Sequence, residues 1–215
     1  TDPLSIHYAN TYEYKPESGP LHFFAQIQTV PVVLTDYSKG RCGFYLKAEL
    51  TFSDGSTESF MTDESWLGRM NYAYCEKHTY DSSFCAGEWC GAESVTDIWN
   101  AVTAPIPMLS EETLIPENPV ITVPAGGISE ERIVFDKIYT AYIALKVSGA
   151  CRVTAESFEL PEQASVSSET MNFTGEENYR SIQVHSCGGL RLSLENTGSV
   201  AVTVNPYIIS TCYPV

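Results

Sequence analysis

The sequence predicts an all-β chain, an antiparallel β-sandwich or jelly-roll-like fold arranged as two small tandem sandwiches. Three observations carry the prediction. Apolar and polar residues alternate with period two over residues 44–52 and again over 190–204. Short runs rich in β-branched and aromatic residues recur along the chain, bounded by Gly, Pro or Ser. No amphipathic helix longer than two turns is convincing anywhere.

Taken in order, residues 21–30 form the first candidate strand. Residues 44–52 follow, with Phe44, Leu46, Ala48, Leu50 and Phe52 on one face and Tyr45, Lys47, Glu49 and Thr51 on the other. The turn after them can close in two ways. A two-residue Asp54-Gly55 turn sets Phe60 opposite Glu49 on the polar face. A three-residue loop, Ser53-Asp54-Gly55, with Gly55 left-handed, sets Phe60 opposite Ala48 on the apolar face. Burial favours the second. The same device is expected near the end, where Asn196-Thr197-Gly198 would close a hairpin pairing Leu194 with Val200 and Leu192 with Val202. Further strands are expected at 119–124, 132–135, 141–147, 151–158 and 207–211. The Ser-, Glu- and Gln-rich residues 161–178 read as a polar surface loop.

Pro105, Pro107, Pro116 and Pro119 stiffen the backbone and withhold ladder donors, so a domain boundary is placed there. The expected domains are 1–104, a partial jelly-roll-like sandwich; 105–118, a proline-rich connection; and 119–215, a second sandwich. One sandwich with a long crossover is the alternative reading.

Of the 215 residues, 43% are apolar and 18% charged, a packed composition and not a disordered one. The net charge is −15, and no cluster of Lys or Arg occurs, which disfavours nucleic acid and anionic membranes as partners. No apolar run approaches the roughly 20 residues of a bilayer span. The start, Thr1-Asp2-Pro3, reads as a processed end or an internal boundary, and compartment is not legible. Cys42, Cys75, Cys85, Cys90, Cys151, Cys187 and Cys212 are an odd, scattered set, so free thiols are the default. A disulfide joining Cys85 to Cys90 or Cys75 to Cys85 stays open. A zinc site from Cys75, His78, Cys85 and Cys90 lacks the usual paired knuckles.

No phosphate-binding loop, nucleophile elbow or His-Glu-x-x-His helix occurs, and His7, His22, His78 and His185 lie far apart, so none is given a catalytic role. Glu111-Glu112, Glu130-Glu131 and Glu176-Glu177 read as solvated surface, because a glycosidic general acid needs burial to raise its pKa. Sugars stack on exposed aromatic rings while polar groups take their hydroxyls. Trp89, with Tyr80, Asp81 and Glu88 in the same Gly-containing stretch, is therefore the candidate carbohydrate contact, against structural packing of Trp89 as the bland alternative.

Four stretches carry a family resemblance. They are residues 48–56 with Thr62-Asp63-Glu64-Ser65-Trp66; the passage from Trp99 to Pro119; Ile133-Val134-Phe135-Asp136 with residues 141–147 and Glu156; and the closing Tyr213-Pro214-Val215. In this order they resemble the β-sandwich region in front of the catalytic domain in bacterial α-L-rhamnosidase-like glycosidases. Ala141 stands where that family usually has Gly. The resemblance implies a non-catalytic accessory segment whose partner is a helical catalytic barrel downstream in the same polypeptide, with the catalytic carboxylates in that barrel and none on this chain. Some members bind rhamnose with calcium in this region; no calcium ligand can be matched here, and no cofactor is assigned. An independent carbohydrate-binding module is the alternative function.

Overall fold

The computed structural model describes residues 6–9, 13–15, 19–25, 27, 44–74, 79–84, 86–94, 100–103 and 109–212. Among the described residues the regular structure is entirely strand. The chain forms two compact units. One comprises Thr1–Arg69 with Glu88–Pro107, and the other Met70–Gly87 with Met108–Val215. One partition point therefore falls in the proline-rich stretch, and residues 70–87 join the second unit.

The strands in chain order are β1 (Ile6–Ala9), β2 (Lys47–Thr51), β3 (Thr57–Met61), β4 (Leu67–Gly68), β5 (Thr79–Asp81), β6 (Cys90–Gly91), β7 (Asn100–Thr103) and β8 (Ser110–Leu114). They continue with β9 (Ile121–Val123), β10 (Ile128–Ser148), β11 (Cys151–Phe158), β12 (Ser167–Phe173), β13 (Glu176–Arg180), β14 (His185–Asn196) and β15 (Val202–Cys212).

In the first unit, β1 and β7 pair in parallel, β4 pairs with β6, and β2 with β3. The β2–β3 hairpin closes through the three-residue loop, and Ala48 faces Phe60. Gly55 sits at φ 84°, where a side chain would be strained. Its N–H donates to Phe52 O, and Phe52 N–H donates to Ser56 O. Phe60 packs edge-on against Phe23 at 4.8 Å, and Phe44 lies 5.8 Å from Trp66. The described part of the expected 21–30 strand, residues 21–25 and 27, has no regular structure; its remainder lies outside the described residues.

The second unit is one nine-stranded sheet folded over on itself. The first half of β10 pairs with β14, which also pairs with β11, and β11 pairs with β12. The second half of β10 pairs with β15 on one edge and β13 on the other. A register shift between Val134 and Tyr139 marks where β10 passes from one layer to the next. Strand period two then sets the core. Cys151, Val153 and Ala155 of β11 lie beside Phe173, Met171 and Glu169 of β12 and Asn196, Leu194 and Leu192 of β14. From the other layer come Ala141, Ile143, Leu145 and Val147 of β10, Val204 and Ile208 of β15 and Tyr179 of β13.

Two expectations are corrected. Asn196-Thr197-Gly198 does not close a hairpin, because β14 pairs with β10 and β11 while β15 pairs with β10, β8 and β9. Leu190, Leu192 and Leu194 of β14 and Val202 and Val204 of β15 face inward, from different strand partners, whereas Val200 is exposed. Buried Asn196 makes the crossover: Nδ2 donates to Val123 O and Val200 O, and Oδ1 accepts from Gly198 N–H. Residues 161–178 are no surface loop either, since β12 and most of β13 lie within them. The inward positions of β12 include Ser167 and Glu169, so polar residues conceal a core strand. Within the proline-rich connection, β8 pairs with β15 as an added strand.

Candidate functional site

The sequence candidates divide between the units. Glu88 and Trp89 belong to the first, where Trp89 is 52% exposed and the Arg69 guanidinium lies 4.5 Å from its ring centroid. Tyr80 and Asp81 belong to β5 of the second. Tyr80 is 6% exposed, with its ring 4.9 Å from Tyr74, 5.0 Å from Tyr179 and 5.6 Å from Phe173. It is a core residue, away from the solvent that a sugar contact needs. Burial, then its hydrogen bond with Glu177, raises its phenol pKa.

Asp81 belongs to a recurring device. In Asp-x-Ser at 54–56, 63–65 and 81–83, the aspartate Oδ1 accepts from both the N–H and the hydroxyl of the serine two residues on. Hydrogen bonds to Ser56, Ser65 and Ser83 hold the carboxyls of Asp54, Asp63 and Asp81 below the ordinary aspartate value. Asp136, beside the β10 register shift, is lowered chiefly by the Tyr139 hydroxyl, whose own pKa is pushed up to about 12 by the same bond.

The densest polar constellation lies inside the second unit, in residues the sequence reading left unused. Ser157 of β11 and Ser167 of β12 occupy paired positions, with their hydroxyl oxygens 2.7 Å apart. Ser167 Oγ is 2.7 Å from His185 Nδ1, and His185 Nε2 is 3.1 Å from Glu169 Oε1. The Tyr179 hydroxyl donates to Glu169 Oε2 at 2.9 Å. Ser157, Glu169, Tyr179 and His185 are buried, and Ser167 is half-buried. Glu169 takes its inward place because it pairs with Ala155, whereas His185 arrives from β14, opposite Ala141. The alternation Ser167, Glu169, Met171, Phe173 was the one sequence signal for this strand. Two polar members disguised it.

Cys75, His78 and Cys85 of the zinc and disulfide readings lie outside the described residues, as does Cys42. Among the described residues no group of three His, Cys, Asp or Glu side chains is placed to hold a metal ion. Cys90, Cys151, Cys187 and Cys212 are free thiols. Burial pushes the Cys151 thiol up to about 11 and the Cys187 thiol up to about 12.

No family model matches the chain, and no curated protein matches it. Solved structures to which the chain shows some similarity include the following two. A de novo designed double-stranded β-helix is 14% identical, covers 48% of this chain and 99% of its own, and superposes at a TM-score of 0.24. The Schizosaccharomyces pombe Cnp3 cupin domain is also 14% identical, with coverage of 70% and 86% and a TM-score of 0.25. Neither superposition bears on what the chain does.

Proposed function

We propose that this chain is a non-catalytic accessory β-sandwich segment of an α-L-rhamnosidase-like glycoside hydrolase, supporting or extending its catalytic domain. One observation carries the reading. Asp54, Asp63 and Asp136, which stand in the stretches that resemble the family, are held by local hydrogen bonds that favour the ionised form. A glycosidic general acid needs the opposite, a carboxyl whose pKa is raised so that it keeps its proton. These side chains shape turns and a strand bend, the work of a scaffold.

The test is an aryl α-L-rhamnoside assay on the purified chain, run beside the catalytic domain alone and joined to this segment. The chain alone should show no turnover, and the joined protein should melt higher than the catalytic domain alone. Turnover by the chain that disappears when one of its own carboxylates is replaced would overturn the proposal.

The exposed Trp89 ring favours a second reading, an independent carbohydrate-binding module. Calorimetric titration with rhamnose separates the two: this reading requires binding that Trp89→Ala abolishes without lowering the melting temperature.

A further inference from the structure

The accessory role makes no use of the chain Ser157, Ser167, His185, Glu169 and Tyr179. Packing does not by itself require it. Taking a Glu and a His out of water together gains little over an apolar pair of the same volume, because the desolvation of both offsets their attraction. The links do fit another use. Tyr179 holds one carboxyl oxygen of Glu169 and His185 holds the other, which fixes the carboxyl. With its proton on Nε2 and donated to Glu169, the imidazole presents the bare Nδ1 lone pair to the Ser167 hydroxyl at 2.7 Å. A nucleophile bonded to a base, and that base bonded to an orienting acid, is the arrangement of an activated serine.

Access falls on the right member. Ser167, at the start of β12, is half-buried while the four others are buried. Val166, 52% exposed, precedes Ser167, and Val184, 48% exposed, precedes His185, so each reacting residue is adjoined in the chain by an apolar side chain standing in solvent.

We propose that, beyond a role in which the chain takes no part in glycoside hydrolysis, Ser167 is a nucleophile activated by His185 and accepts the acyl group of short-chain carboxylic esters. Ser167 Oγ bonds to the ester carbonyl carbon while its proton passes to His185 Nδ1. The bond from carbon to the leaving oxygen breaks, and that oxygen takes the proton from Nδ1 and departs as the alcohol. Water, deprotonated by the same nitrogen, then adds to the acyl carbon; the bond from that carbon to Ser167 Oγ breaks, Oγ takes the proton back from Nδ1, and the carboxylic acid leaves. Glu169 and Tyr179 are positioning residues that hold the ring.

The experiment uses p-nitrophenyl butyrate and an alkyl fluorophosphonate on the intact chain, with adducts mapped by peptide mass spectrometry. The expected result is an early release of p-nitrophenol and a phosphonate adduct on Ser167 but not on exposed Ser193 of β14. His185→Gln should slow adduct formation by about 10²–10⁴-fold, the range for losing a general base. Ser168→Ala, on the exposed face of β12, should keep it. Circular dichroism checks that each variant folds. If His185→Gln does not fold, the wild-type adduct decides. A wild-type chain that labels Ser167 no faster than Ser193, or a folded His185→Gln variant that labels at the wild-type rate, overturns the proposal.

Discussion

Gly189→Ala tests how the second unit is packed. Gly189 of β14 lies between Val134 of β10 and Phe158 of β11. A Cβ there would stand 2.3 Å from Ile133 O and 2.3 Å from Phe158 Cζ. Ordinary carbon contacts are about 3.5 Å, so the neighbours must retreat by roughly 1 Å. Ile133 O is backbone and cannot rotate away. Phe158 is fully buried, and the guanidiniums of Arg132 and Arg191 lie 5.2 and 5.0 Å from its ring centroid. Both arginines are tied to the 159–166 connection through Pro161 O and Gln163 O. Overpacking costs about 1–3 kcal/mol, and complete loss of a buried Phe about 3–5 kcal/mol. Partial eviction of the ring therefore costs about 3 kcal/mol, a fall in melting temperature of roughly 6–12 °C at about 2–4 °C per kcal/mol. Gly175→Ala is the control, because a Cβ there meets nothing within 4 Å. Differential scanning calorimetry of both variants gives the comparison. A Gly189→Ala chain melting within about 2 °C of the wild type would refute this account of the Phe158 site.

Other expectations follow from the same contacts. Asn196→Ala strips hydrogen bonds from Val123 O, Val200 O and Gly198 N–H, so urea denaturation should show a loss of about 1–3 kcal/mol. Under native conditions at pH 8, iodoacetamide should modify exposed Cys90 and Cys212 and spare Cys151 and Cys187, whose burial keeps them as thiols; modification of Cys187 before unfolding would contradict its place in the core. Asp54, Asp63, Asp81 and Asp136 all have depressed values, so their contribution is present above the ordinary aspartate value of 3.8 and is lost as pH falls through the lower folded values. Acid titration monitored by circular dichroism should show the loss beginning near that value, and Asp81→Asn should flatten it.

The sequence by itself determined the all-β class, the β2–β3 loop and the positions of β2, β3, β9, β10, β11, β14 and β15, and it missed β12 and β13. These are local matters: period-two alternation decides which side chains share a face, and loop length decides the register of a hairpin. Residues 151–158 were bounded from sequence as β11 is in the structure. Alternation does not say which strand lies alongside. Leu192 and Leu194 carry the pattern of a strand hairpinned to Val200 and Val202, yet β14 pairs with β10 and β11, and buried Asn196 carries the chain across to β15. A satisfied polar residue in a core is equally silent. Ser167, Glu169 and His185 read as surface or as unassigned because their burial rests on partners brought by three different strands, β11, β13 and β14. Only the folding of the sheet onto itself brings these groups within hydrogen-bond distance, and that contact makes their burial affordable.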